Sequence, residues 1–247
     1  MVKQMPNENI IYLGDTGRFP YGTKSKETII EYAKQSIEFL ISKNVKLIVI
    51  ACGTATSQAL EEVKKIYKIP IIGIIEPTVQ SINKSAKSIA IMATAGTIRS
   101  GAWEKEIKKQ FEDVNITNRS CPLLAPLAEE GFINNEIANL TIKEYVKGLE
   151  NTNAIILGCT HYPLFKEIIS EQIPKAEIID TGERTSKYIK NILKELQQGN
   201  EETIPKYEIY LTDIETNFIN VVNKIIDDKN LLDKLNIKKI KIEDRAN

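Results

Sequence analysis

Short apolar runs alternate with stretches of helical periodicity along almost the whole chain, and few folds accommodate that order. Runs at 9–13 (NIIYL), 47–50 (LIVI), 71–75 (IIGII), 88–92 (SIAIM), 154–157 (AIIL) and 177–180 (EIID) have the length and composition of buried strands. After the first run, residues 14–22 form a long irregular loop. Ser25 then stands at a capping position, and Ile29, Ile30, Ala33, Ile37, Leu40 and Ile41 recur on one helical face. Segments 55–68, 77–86, 98–111, 122–130 (stopped by Gly131), 135–150 and 185–198 are read as further helices. Strands at 114–116, 207–211 and 239–242 and an amphipathic stretch around 219–226 complete the expectation. Such β-α alternation predicts parallel sheets with helices on both faces. The series restarts at Glu76-Pro77, so two α/β units are expected, packed face to face because no low-complexity linker separates them.

Two of the predicted strands end in a cysteine. The run AIIL leads through Gly158 into Cys159-Thr160-His161, with Pro163 where a helix begins; His161 is the only histidine. The run LIVI leads into Ala51-Cys52-Gly53-Thr54, again before a helix. A thiol at a strand's carboxyl end beside a helix N-terminus is expected to have a lowered pKa. A repeated strand–Cys–helix unit suggests two thiols facing one small ligand. A thiolate on one side of a stereocentre can remove a proton while a thiol on the other side returns one. Free cysteine, with a pKa of about 8.5, suits both roles. Disulfide exchange would need the two sulfurs in contact, which a ligand between them prevents. Cys121, in Ser120-Cys121-Pro122, reads as a small buried apolar residue.

The totals exclude several other classes. The 33 basic and 33 acidic side chains balance, leaving no electrostatic footprint for nucleic acid or an anionic membrane. No apolar run approaches the ~20 residues of a membrane span. Three cysteines without a CxxC pair fit a reducing cytoplasm better than a disulfide framework. Neither GxGxxG nor GxxxxGK[ST] is present to cradle a nucleotide. Cys52, Cys121, Cys159 and His161 lack the spacing of a structural zinc site, so no metal is expected.

Six blocks, taken in order, resemble the glutamate racemase family. They are NIIYLGDTGRFPYG, ACGTAT, MATAGTIRSG, CPLLAPLAEEG, GCTHYPL and IDTGERT. The resemblance implies an enzyme that needs no cofactor and supplies D-glutamate for bacterial peptidoglycan. It implies two doubly wound α/β domains with parallel sheets and the active site between them. The first comprises 1–75 with 182–247 and the second 76–181; a homodimer is a possible assembly. By the same resemblance Cys52 and Cys159 are the catalytic acid/bases. Asp15, Glu129 and His161 are supporting ionisable groups, with Glu129 and His161 on the Cys159 side. Tyr21, Gly22, Gly53, Thr54, Thr94, Thr97, Thr160 and His161 bind the substrate.

Two departures shape the expectation. Gly53 stands where the family usually has Asn, and offers only backbone. The family's opening strand, which ends in an Asp-Ser-Gly loop with a carboxylate beside the first cysteine, has no counterpart in these residues. We therefore expect a first domain interrupted inside its sheet, with lower stability and activity than a chain carrying that segment. Two alternatives follow: a catalytically impaired or non-catalytic relative, and a racemase of another acidic amino acid such as aspartate.

Overall fold

The computed structural model describes residues 1–196, 198–199, 204–214 and 235–242. Every strand pairing in it is parallel. One four-stranded sheet has the order β5-β4-β6-β7, from β4 (Ser88–Ala93), β5 (Asn115–Ser120), β6 (Ala154–Leu157) and β7 (Glu177–Asp180). Successive side chains of β4 enter two different cores, as the two-residue strand period requires. Ala90 and Met92 join Ile155, Leu157 and the helices α6 (Leu124–Glu129), α7 (Glu136–Val146) and α8 (Lys166–Gln172). Ile89, Ile91 and Ala93 join Ile156, Ile179 and the wholly buried Trp103 and Ile107 on the opposite face. Burial on both faces is why β4 and β6 read as unbroken apolar runs.

The remaining strands form two separate parallel sheets. One has the order β1-β8-β9, from β1 (Ile10–Gly14), β8 (Tyr207–Leu211) and β9 (Leu235–Lys239). The other pairs β2 (Ile48–Ile50) with β3 (Ile71–Gly73). Helix α1 (Lys26–Ile41) spans both. Its Ile29, Ala33 and Ile37 pack with Ile48 and Ile71, while the Phe39 ring meets that of Tyr210 edge-on at 5.0 Å. Just before β2, Lys46 reaches Glu8, just before β1, at 2.7 Å. No backbone ladder joins the two sheets among the described residues. Their strands are correspondingly less covered than β4 and β6, and Tyr12 in the middle of β1 is 47% exposed.

Several elements differ from the sequence reading, each for a local reason. The helix expected over 98–111 is two, α4 (Ala95–Arg99) and α5 (Ala102–Gln110), broken where Gly101 adopts φ +65°. Helix α3 (Ile75–Gln80) starts earlier and ends sooner than 77–86, so β3 stops at Gly73. Strand β5 extends beyond 114–116 with the polar sequence NITNRS, which an edge position tolerates. Helix α9 (Thr181–Glu195) begins before residue 185 because the Asp180 carboxylate accepts from the amides of Gly182 (2.8 Å) and Glu183 (3.0 Å). The last strand is at Leu235–Lys239 rather than 239–242, and the stretch 219–226 lies outside the described residues. As expected, the Ser25 hydroxyl caps α1 by accepting from the Thr28 amide. Among the described residues no helix is long and apolar enough to cross a membrane.

The Ile10 and Ile48 amides bond the β8 and β3 sides of their strands, so the alternate amides of Ile11, Leu13 and Val49 point away from every ladder among the described residues. Hydrogen exchange should therefore be faster at these three by orders of magnitude than at Ile91 or Ile156. Equal protection would mean that a backbone partner occupies those edges.

Candidate active site

Both cysteines sit at carboxyl ends of parallel strands. Cys52 follows β2 and caps α2 (Gly53–Ile66); Cys159 follows β6 after Gly158. The two turns touch through their glycines. A Cβ built on Gly53 would fall far inside van der Waals contact with the Gly158 carbonyl oxygen, a backbone atom that cannot swing aside. Gly158 is confined to a lesser degree: its Cβ would lie 3.1 Å from the Ala93 Cβ and 3.2 Å from the Met92 carbonyl oxygen and from the Trp103 indole nitrogen. Gly53 in place of Asn therefore has a structural counterpart, the close approach of two cysteine-bearing turns from different sheets.

The two thiols have different surroundings. Burial raises the pKa of Cys52 to about 11, although the amides of Ala55 and Thr54 pull the other way; a charge on Cys159 pushes it further up. This corrects the expected lowering of Cys52 by the helix N-terminus: the helix amides act as anticipated, but desolvation outweighs them. Cys159 Sγ lies 3.7 Å from His161 Nδ1, and His161 Nε2 lies 2.5 Å from Glu129 Oε1. Burial alone would lower the His161 pKa, but the bonds to Cys159 and Glu129 prevail and raise it to about 9. A relay Glu129–His161–Cys159 is thus assembled from α6 and the turn after β6. Thr160 Oγ1 lies 3.4 Å from His161 Nδ1. The Phe19 ring comes from the β1–α1 loop to 5.6 Å from the imidazole.

Hydroxyls line the space beside Cys52. Thr54, Thr94 and Thr97 form a closed triangle of Oγ1 contacts at 3.0, 3.2 and 3.0 Å. Gly22 abuts Thr94, leaving only 2.8 Å for a Cβ. Next to it the Tyr21 hydroxyl donates to Asp15, and burial, followed by that carboxylate, holds the phenol well above its usual pKa. Asp15 also pairs with Arg18 Nε at 2.6 Å and accepts from Thr212 Oγ1 at 2.9 Å. Asp15 therefore braces the β1–α1 loop, and its bonds go to these three groups rather than to a thiol. Cys121 is sealed from solvent and pushed up to about 12, first by burial, although Arg119 opposes the shift. Its carbonyl accepts from the buried Tyr162 hydroxyl at 2.6 Å.

Two aromatic residues escaped the sequence reading. Tyr12 folds over Gly14; although nearly half of the residue is exposed, its hydroxyl end is desolvated there, and this, followed by the charges of Glu129 and Cys52, raises its pKa and marks it as beside the site. Phe19 contacts His161 across the two units. In the sequence Tyr12 is an ordinary strand residue and Phe19 an ordinary loop residue; the only signal is that both flank the Gly14–Gly17 turn.

Replacing Gly53 by Ala should force the two cysteine turns apart and lower proton transfer between bound groups about 10²-fold. Unchanged turnover with a soluble, folded variant would show that the turns need not meet. The His161 pair should also leave a signature in stability. Because its folded pKa is raised to about 9, its contribution is complete below the unfolded value of about 6.5 and is lost as pH rises through about 9. Relative to His161→Asn, the parent's melting temperature should fall across that interval. Parallel curves would contradict the pairing.

The family model described as Asp/Glu/Hydantoin racemase matches residues 2–188. The glutamate racemase of Geobacter metallireducens is 39% identical over 242 residues, spanning 93% of this chain and 87% of that protein. That of Persephonella marina is 38% identical, spanning 96% and 91%. Among solved structures, Francisella tularensis glutamate racemase in complex with D-glutamate superposes with a TM-score of 0.90 at 34% identity, covering 98% of this chain and 91% of that one. The two-domain architecture with parallel sheets is the same in both folds. A family model over most of the sequence, relatives this similar over nearly its full length, and two cysteine turns brought together in the fold lead to one conclusion: the chain belongs to the Asp/Glu/Hydantoin racemase family.

Proposed function

We propose that the chain interconverts L- and D-glutamate by two-base proton transfer between Cys52 and Cys159, as an isomerase that supplies D-glutamate to peptidoglycan synthesis. The observation that carries this reading is the meeting of two cysteine-bearing strand ends at Gly53 and Gly158. With substrate between them, the thiolate on one side takes the α-proton. The electron pair left on the α-carbon is delocalised into the adjacent carboxylate, and the opposite thiol then donates its proton to the other face. The first sulfur ends protonated and the second as thiolate, so the enzyme is poised for the reverse direction. His161, protonated up to about pH 9, can hold or return the proton of Cys159, with Glu129 fixing the ring. The Thr54, Thr94 and Thr97 hydroxyls, Thr160, and the amides after Cys52 supply donors for two carboxylates. Tyr21 and Gly22 close the wall beside Thr94. The product's role in peptidoglycan rests on the family resemblance, and the identity of the amino acid on the names of the relatives above.

A specific observation favours a slower catalyst as the second reading. Cys159 has a histidine and a carboxylate in relay, whereas the groups that favour a charge on Cys52 are the Thr54 hydroxyl and the amides of Thr54 and Ala55.

Racemisation followed by circular dichroism, with L-glutamate and L-aspartate as substrates, tests both readings. Cys52→Ser and Cys159→Ser should each lower glutamate turnover about 10²–10⁴-fold, the usual range for losing a positioned acid/base, while Cys121→Ser should retain it. A Cys159→Ser protein as fast as the parent would remove the two-base assignment, and preference for aspartate would overturn the substrate.

A further inference from the structure

Phe19 belongs to no hydrophobic core among the described residues and is 42% exposed, so burial does not explain where its ring lies. The ring stands against the chain's only histidine: the ring centres of Phe19 and His161 are 5.6 Å apart, with the planes inclined by 51°. The loop that carries it is braced on both sides. Before it, Arg18 pairs with Asp15 at 2.6 Å, donates to Gln35 at 2.5 Å and lays its guanidinium 3.9 Å from the centre of the Tyr32 ring. After it, Tyr21 donates to Asp15 and packs on the same Tyr32 ring at 5.7 Å. The Gly17 amide donates to Thr212 Oγ1 at 2.9 Å, tying the loop to the segment beyond β8. The ring is therefore presented by a fixed backbone. The polar contacts of the imidazole all come from the second unit: Cys159 and Thr160 at Nδ1, and Glu129 at Nε2.

We propose that Phe19 is a positioning residue that holds the His161 imidazole in the Glu129–His161–Cys159 relay. Bonds at the two nitrogens leave the imidazole free to tip about the line that joins them. The Nδ1 contact with Cys159, at 3.7 Å, is long enough to be lost by a small tilt. An aromatic ring packed beside the imidazole opposes that tilt, and inclined rings with centres about 4.5–7 Å apart are a favoured arrangement. The titratable neighbours of the imidazole are Cys159 on its own turn and Glu129 on α6. Tyr12 of β1 comes under the charge of Glu129, and on the loop itself Asp15 and Arg18 are paired with each other. Phe19 thus contributes position and no charge. Because the loop belongs to the first unit and the relay to the second, the relay is aligned while the two units are closed on each other. The consequence for turnover rests on the function proposed above; the consequence for the imidazole does not.

Proton NMR titration of the full chain reads the imidazole directly, since a single histidine makes its ring resonances unambiguous. The parent should titrate with a midpoint of about 9. Two roles for Phe19 predict different outcomes in Phe19→Ala. A ring that only covers the imidazole lowers its proton affinity by excluding water, so removing it would raise the midpoint or leave it in place. A ring that holds the imidazole in its bonds keeps the midpoint up, so removing it should lower the midpoint by about one pH unit or more, toward the ordinary value of about 6.5. Phe19→Tyr, which keeps the ring, should retain the parent midpoint. The position is exposed, so Phe19→Ala should melt like the parent. In racemase assays of Phe19→Ala the high-pH limb of kcat should move down with the NMR midpoint, while the glutamate KM changes by less than about twofold. An unchanged or raised midpoint in Phe19→Ala, or a loss of turnover that appears in KM alone, would overturn the positioning role. An inactive parent whose imidazole still responds to Phe19→Ala in this way would uphold that role and count against the proposed reaction alone.

Discussion

The backbone of Gly53 runs so close to the Gly158 carbonyl oxygen that no Cβ fits between them. That contact decides how near the two cysteine turns come, and through them the two sheets. Parallel strands buried on both faces aim their carboxyl ends at one crevice, and loops there carry the chemistry. In this chain β2 and β6 do so from different sheets, so the crevice lies where they meet. The threonine triangle and the packing of Gly22 against Thr94 add polar and steric closure across the same junction.

The two halves of the site are unequal, and the inequality follows from the fold. Cys159 stands at the end of a strand inside a complete four-stranded sheet, where α6 brings Glu129 to the imidazole. Cys52 ends a strand of a two-stranded sheet that no ladder connects to β1 among the described residues. Desolvation raises the pKa of its thiol, opposed only in part by the nearby helix amides and Thr54. Proton transfer at Cys52 thus depends on substrate and hydroxyls, while Cys159 has its own relay.

Much of this was legible in the sequence because its sources are local. Strands such as AIIL and LIVI are recognisable by burial on both faces, and the cysteines by their place after them. The lack of burial hid the full extent of β5, read only over 114–116, because its edge position permits the polar run NITNRS, and one glycine at φ +65° split a helix that periodicity read as continuous. In the site, the residue types were readable but their partnerships were not. Asp15 looked like a helper for a thiol, yet Tyr21, Arg18 and Thr212 take its bonds, the last from far along the chain. Phe19 and Tyr12 matter only through contacts between distant segments. Gly53 read as a lost amide; its backbone contact with Gly158 is a fact of three dimensions alone.

The central claim is that two different thiols serve the two faces of one α-carbon. It is tested most directly by the isotopic fate of that carbon when L-glutamate is converted in deuterium oxide. Two bases predict that, early in the reaction, the D-glutamate formed carries deuterium at the α-carbon while the remaining L-glutamate carries none. Deuterium entering unconverted L-glutamate as fast as it enters product, or protium carried across into the D-glutamate, would mean that one group serves both faces and would contradict the account.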